Sequence, residues 1–94
     1  MSIVWTKTSE LTLEEIVDYI RNKFGELVAK KYYLDVLETV DDIKINPELF
    51  PIFQDKTQTR KAVINKKTIL YYTIDLENIN LLAFYDVRKE THKL

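Results

Sequence analysis

A chain of 94 residues with a formal net charge of −1, 46% hydrophobic and 12% aromatic residues, one glycine and two prolines has the make-up of one globular domain, residues 1–94, with a single core. The absence of cysteine excludes disulfides and thiolate metal sites, and a lone histidine, His92, argues against a zinc site, so no metal or cofactor is expected. No apolar run approaches the roughly 20 residues of a membrane helix, and the N-terminus turns acidic before a signal-like segment forms, which points to a soluble cytoplasmic protein.

The small net charge conceals a division. Residues 1–55 carry six Lys and Arg against eleven Asp and Glu, while residues 56–94 carry eight against four. A basic second half would attract a polyanion or an acidic protein segment, and chance clustering of surface charge accounts for the same numbers equally well.

In chain order, the β-branched and aromatic run of residues 2–6, SIVWT, reads as a strand with Trp5 packed in the core. Thr12 and Glu15 have the spacing of a capping box, with Leu11 and Ile16 placed for a hydrophobic staple and Ser9 as an earlier alternative cap. Leu13, Ile16, Val17, Ile20 and Phe24 then form a helical stripe that Gly25 ends. A second stripe follows through Ala29, Tyr33, Val36, Leu37, Val40 and Ile43 and stops before Asn46-Pro47, so the two helices form an antiparallel hairpin whose acidic residues face solvent.

Residues 46–58 connect this hairpin to the rest. Leu49, Phe50, Ile52 and Phe53 are too apolar for a free linker and are expected to pin the second helix to the sheet, with residues 54–58 as the loop tip. Residues 59–88 are the stretch the chain is organised around, a three-stranded antiparallel meander with turns at Asn65-Lys66-Lys67 and at residues 75–78. Leu70, Tyr72 and Ile74 alternate with Ile69, Tyr71 and Thr73, which marks a central strand with two apolar faces. The last strand sets Leu82 and Phe84 against Ile79, Leu81, Ala83 and Tyr85, and residues 87–94 leave as a basic tail. The expected fold is α+β: an N-terminal strand, a helical hairpin and the meander, together a twisted four-stranded sheet with helices on one face.

This order, with the stretches TRKAVINKKTILYYTI and NLLAFYDVRKETHKL and the supporting WTKTSELTLEEIVDYI, resembles the RelE/ParE superfamily of toxins from type II toxin-antitoxin systems over the whole chain. The resemblance implies a small growth-inhibiting toxin of the plasmid stabilisation type, neutralised by an antitoxin encoded beside it. Some members of the superfamily are mRNA interferases that cleave mRNA on the ribosome without a metal, and others poison DNA gyrase without being enzymes. RNA cleavage needs a base, cations around the phosphate and an acid. On that pattern Lys61 matches a strand lysine and Arg88 the arginine after the last strand. Arg60 is a substitute for a second lysine expected at Thr59, and His92 is a candidate acid or base in the tail. Thr68 stands where the central strand is expected to carry an arginine, and Leu94 stands near an expected terminal tyrosine. Asp86 is read as orienting Arg88 through an ion pair, and Tyr71 and Tyr72 as core and sheet-face residues. The first functional expectation is a ribosome-dependent endoribonuclease. Gyrase binding, and a binding-only protein of weak toxicity, are the alternatives. All three predict an antitoxin segment with acidic and apolar residues in the groove between the hairpin and the sheet.

Overall fold

The computed structural model describes residues 1–91. Its elements are β1 (Ser2–Trp5), α1 (Lys7–Phe24), α2 (Glu26–Ile45), β2 (Ile52–Gln54), β3 (Thr59–Ile64), β4 (Thr68–Ile74), β5 (Asn78–Asp86) and α3 (Val87–Thr91). The strands form one sheet in the order β1-β5-β4-β3-β2, with β1 parallel to β5 and every other pair antiparallel. The expected architecture holds, with a fifth strand added. The connector contributes β2 to the edge of the meander, so the sheet has five strands where four were expected. The tail begins with the short helix α3 instead of leaving the sheet directly.

Helix α1 starts six residues before its expected stripe. Thr6 is its N-cap: the side chain accepts from the Ser9 N–H at 3.1 Å and donates to the Leu81 carbonyl at 2.7 Å. The capping box at Thr12 and Glu15 does not form, because both residues lie inside the helix, and Leu11 is exposed rather than stapled. Thr12 has another role. β1 ends opposite Leu81, leaving the rest of β5 without a neighbour on that edge, and the Phe84 N–H donates to Thr12 Oγ1 at 3.0 Å. The threonine thus satisfies a backbone donor that the short β1 leaves unpaired.

Gly25 ends α1 and opens α2 at φ 97° and ψ 170°, a region open to glycine and strained for other residues. In α2 the buried stripe is Ala29, Tyr32, Val36, Val40 and Ile43. Tyr33, expected inside, is 43% exposed and Tyr32 takes its place. The two helices bury these stripes, with Leu13, Ile16 and Ile20, against Ala62, Ile64, Leu70, Tyr72, Ile79, Leu81 and Phe84 of the sheet. Each such aliphatic side chain contributes about 1.5–3 kcal/mol by leaving water. Of the connector's apolar residues only Phe50 packs on this core, while Leu49, Ile52 and Phe53 stay exposed. Trp5 stacks on Phe84 at the core's edge, with ring centres 5.9 Å apart.

One irregularity sets what the last strand presents. Tyr71 pairs with Ala83 but Tyr72 pairs with Leu81, so Leu82 is an extra residue, a β-bulge. Simple alternation predicts Ile79, Leu81, Ala83 and Tyr85 on one face. The bulge reverses the parity, so the helix-facing residues are Ile79, Leu81, Phe84 and Asp86, and Tyr85 turns outward.

Candidate functional site

Because the bulge turns Asp86 inward opposite Thr68, a polar group is buried at the end of the sheet where α2, the β3–β4 turn and α3 meet. Asp86 has no exposed side-chain surface and holds Arg88 in a two-pronged pair, receiving Nε on Oδ1 at 2.9 Å and Nη2 on Oδ2 at 2.9 Å. It also accepts the Arg88 backbone N–H at 3.0 Å and the Thr68 hydroxyl at 2.7 Å. Thr68 Oγ1 lies 3.1 Å from the Tyr32 hydroxyl. A carboxylate accepts only, so Thr68 donates to Asp86 and its oxygen receives the Tyr32 proton. Burial, reinforced by the Asp86 charge, pushes the Tyr32 phenol up to about 12 against the opposing effects of Thr68 and Arg88, which keeps it a donor. Burial acts to raise the Asp86 carboxyl, but the hydrogen bonds from Arg88 and Thr68 outweigh it and hold the group below its ordinary value.

The guanidinium so fixed lies 5.8 Å from the Phe24 ring centre and 5.9 Å from that of Tyr32. α3 is anchored beside it by the Val87 N–H donating to the Lys67 carbonyl at 2.9 Å. In front of Arg88 lies an open groove of about 440 Å³ lined by Leu27, Val28, Lys31, Tyr32, Asp35, Asn65, Lys67 and Arg88. Its rim is unusually apolar for a surface, with Leu27 83%, Phe24 47% and Val28 45% exposed. Lys31 is paired with Asp35 at 3.4 Å, and Asp35 also accepts from Asn65.

The other candidate residues lie elsewhere. Arg60 is opposite Tyr72 on the helix-facing side of β3, donating to the Phe50 carbonyl at 2.7 Å and pairing with Glu48 at 3.6 Å. It pins the connector to the sheet. Lys61, the next residue, points to the other face, where its ammonium is 5.0 Å from the Phe53 ring centre. Arg60 and the Asp86 that holds Arg88 are also separated along the sheet, since their partners Tyr72 and Thr68 are four residues apart on β4, about 13 Å. Lys61, Arg60 and Arg88 therefore do not converge on one point. His92 lies outside the described residues. Tyr32 and Thr68, which complete the Arg88 network, were not among the sequence candidates. Among the described residues no group of three or more His, Asp or Glu is placed to hold a metal ion, and no helix is long and apolar enough to cross a membrane.

A mixed sheet with one parallel edge strand, backed by a helical hairpin and ending in an Asp-x-Arg pair, is the architecture expected from the resemblance to type II toxins. The family model described as ParE toxin of type II toxin-antitoxin system, parDE, matches residues 3–92, and the chain belongs to that family. The fold is similar to a solved chain from the chromosomal ParDE toxin-antitoxin system of P. aeruginosa, with a TM-score of 0.80 at 20% identity over 93% of this chain and 96% of that one. No curated protein matches in sequence.

Proposed function

We propose that this chain is a toxin that arrests growth by binding DNA gyrase in the cytoplasm, and not by cleaving RNA. The observation that carries this reading is the separation of the three candidate catalytic cations. Arg60 is engaged by connector carbonyls, Lys61 is on the opposite face, and Arg88 is held by a buried carboxylate at the far end of β4. General acid-base cleavage needs its groups around a single phosphate. Binding a protein target requires only shaped surface, which the family match allows and the groove at Arg88 supplies.

Induction of the chain in cells tests this by scoring plasmid supercoiling and mRNA integrity together. Altered supercoiling and DNA damage with intact mRNA are expected. Ribosome-dependent mRNA breaks with normal supercoiling would overturn the proposal in favour of the RelE-type reading, which draws support from Lys61 lying on an uncovered face. Growth that continues unchanged would favour a binding-only protein.

The partner implied by either toxin reading is a cognate antitoxin. The groove in front of Arg88 suits it: Lys31, Lys67 and Arg88 stand among exposed Leu27 and Val28, a setting for a segment that alternates carboxylates with apolar side chains.

A further inference from the structure

The face of the sheet turned away from the helices carries a row of aromatic rings. Phe53 on β2 and Tyr71 on β4 have ring centres 5.4 Å apart, and Tyr71 meets Tyr85 on β5 edge-on at 5.8 Å. Lys61 on β3 lies opposite Tyr71 in register and extends its ammonium over Phe53. Beside the row Val63 pairs with Ile69, and Ile69 in turn with Tyr85. Phe53 is 57%, Val63 52% and Tyr85 47% exposed. The core is complete on the other face, so packing does not account for three rings here, and no described helix covers them. Among the described residues, the strand positions of β3, β4 and β5 that face this way carry one cation, Lys61, and no carboxylate.

We propose that this face binds single-stranded DNA, its bases stacking on Tyr71, Tyr85 and Phe53 and a phosphate meeting Lys61. Aromatic rings across an open sheet accept bases of any identity, but only bases whose faces are not already covered in a duplex. A lysine with no neighbouring carboxylate supplies the phosphate contact, in the half of the chain that carries the cation excess. Val63 and Ile69 add a preference for thymine over the uracil of RNA to this otherwise base-tolerant stacking, because apolar side chains beside the stacked base take up the C5-methyl that uracil lacks. This site does not depend on the gyrase reading, since it uses the opposite face from the Arg88 groove.

Fluorescence anisotropy of labelled oligo(dT), oligo(rU) and duplex DNA of about 12 nucleotides with the full chain tests it. Oligo(dT) is expected to bind, with oligo(rU) weaker and duplex weakest. Tyr71→Ala and Tyr85→Ala should each weaken oligo(dT) binding by about 5- to 100-fold, the usual worth of one stacked base. Tyr85→Phe should retain it. Lys61→Ala should weaken binding and reduce its salt dependence, while Lys44→Ala on the exposed surface of α2 should change nothing. Far-UV circular dichroism checks that each variant is folded, and the half-exposed Tyr85 gives a second route should Tyr71→Ala unfold. Failure of the folded chain to bind oligo(dT), equal affinity for duplex, or equal affinity for oligo(rU) would each overturn the assignment.

Discussion

Asp86 is the residue on which one end of the molecule depends, because its two oxygens accept four hydrogen bonds while entirely out of water. Removing the carboxylate leaves Arg88 and Thr68 without their partner, so Asp86→Ala should cost about 2–3 kcal/mol in urea unfolding, the range for hydrogen bonds to a charged group. The pH dependence follows from the depressed folded-state value. The carboxyl is easier to protonate in the unfolded chain, so its stabilisation is fully present above the ordinary value of 3.8 and is lost as pH falls through the lower folded value. Asp86→Ala should therefore flatten the acid limb of the stability profile. Thr68 gives a second test. It is fully buried where an arginine was expected, so Thr68→Val should cost about 1–2 kcal/mol by stranding the Tyr32 hydroxyl, and Thr68→Arg should unfold the domain outright. The Asp86–Arg88 pair was legible in the sequence because two residues at a strand end stay close whatever the fold does. Tyr32 was not, because Tyr32 and Tyr33 both lie at helical spacing from Ala29, and only the direction of the sheet's approach selects one of them.

At the level of elements, two local devices decide which side chains face where. Gly25 joins α1 to α2 with no intervening loop, and a Cβ added there meets no atom within 4 Å. Gly25→Ala should still lower stability by about 1–3 kcal/mol, because the cost is backbone strain at φ 97° and not a clash. Thermal unfolding measures it, and an unchanged midpoint would mean that the helix junction relaxes to an ordinary φ. The bulge at Leu82 is the other device. Deleting Leu82 returns β5 to strict alternation with Ala83 still opposite Tyr71 and with Phe84 and Asp86 still turned inward, so that variant should keep the fold, and its failure to fold would show that the local twist of the bulge is itself required. The Gly25 break could be read from the sequence, since a single glycine between two apolar stripes has one sensible use. The bulge could not, because Leu82 and Ala83 are equally apolar and nothing in the strand itself marks the extra residue. The N-cap was misplaced for a related reason: Thr6, Ser9 and Thr12 are all capping residues by type, and the choice of Thr6 is made by the β5 carbonyl that it also binds.

Across the whole molecule, the charge division seen in composition becomes a division of surfaces. The helical hairpin carries most of the acidic residues, while Lys67 and Arg88 border the groove at the end of the sheet and Lys61 stands on the open face. A groove whose lining has Lys67 as a cation in excess of the Lys31–Asp35 and Arg88–Asp86 pairs, with an apolar rim, attracts an acidic segment at long range and holds it by burial once docked, and these two contributions separate experimentally. Charge reversal at the groove, in the double variant Lys31→Glu, Lys67→Glu, should slow association with the cognate antitoxin about tenfold or more at low ionic strength. The difference should shrink as salt screens the field. Leu27→Ala should act in the opposite manner: the side chain is 83% exposed in the free chain, so its loss should leave the association rate nearly unchanged, speed dissociation, and show little response to salt. The double variant Lys44→Glu, Lys56→Glu, an equal change of charge at exposed positions outside the groove lining, is the control for a general shift in net charge. Stopped-flow association at two salt concentrations distinguishes these outcomes. If the groove double variant and the Lys44→Glu, Lys56→Glu control slow association equally, the antitoxin is steered by the chain's overall charge and docks elsewhere.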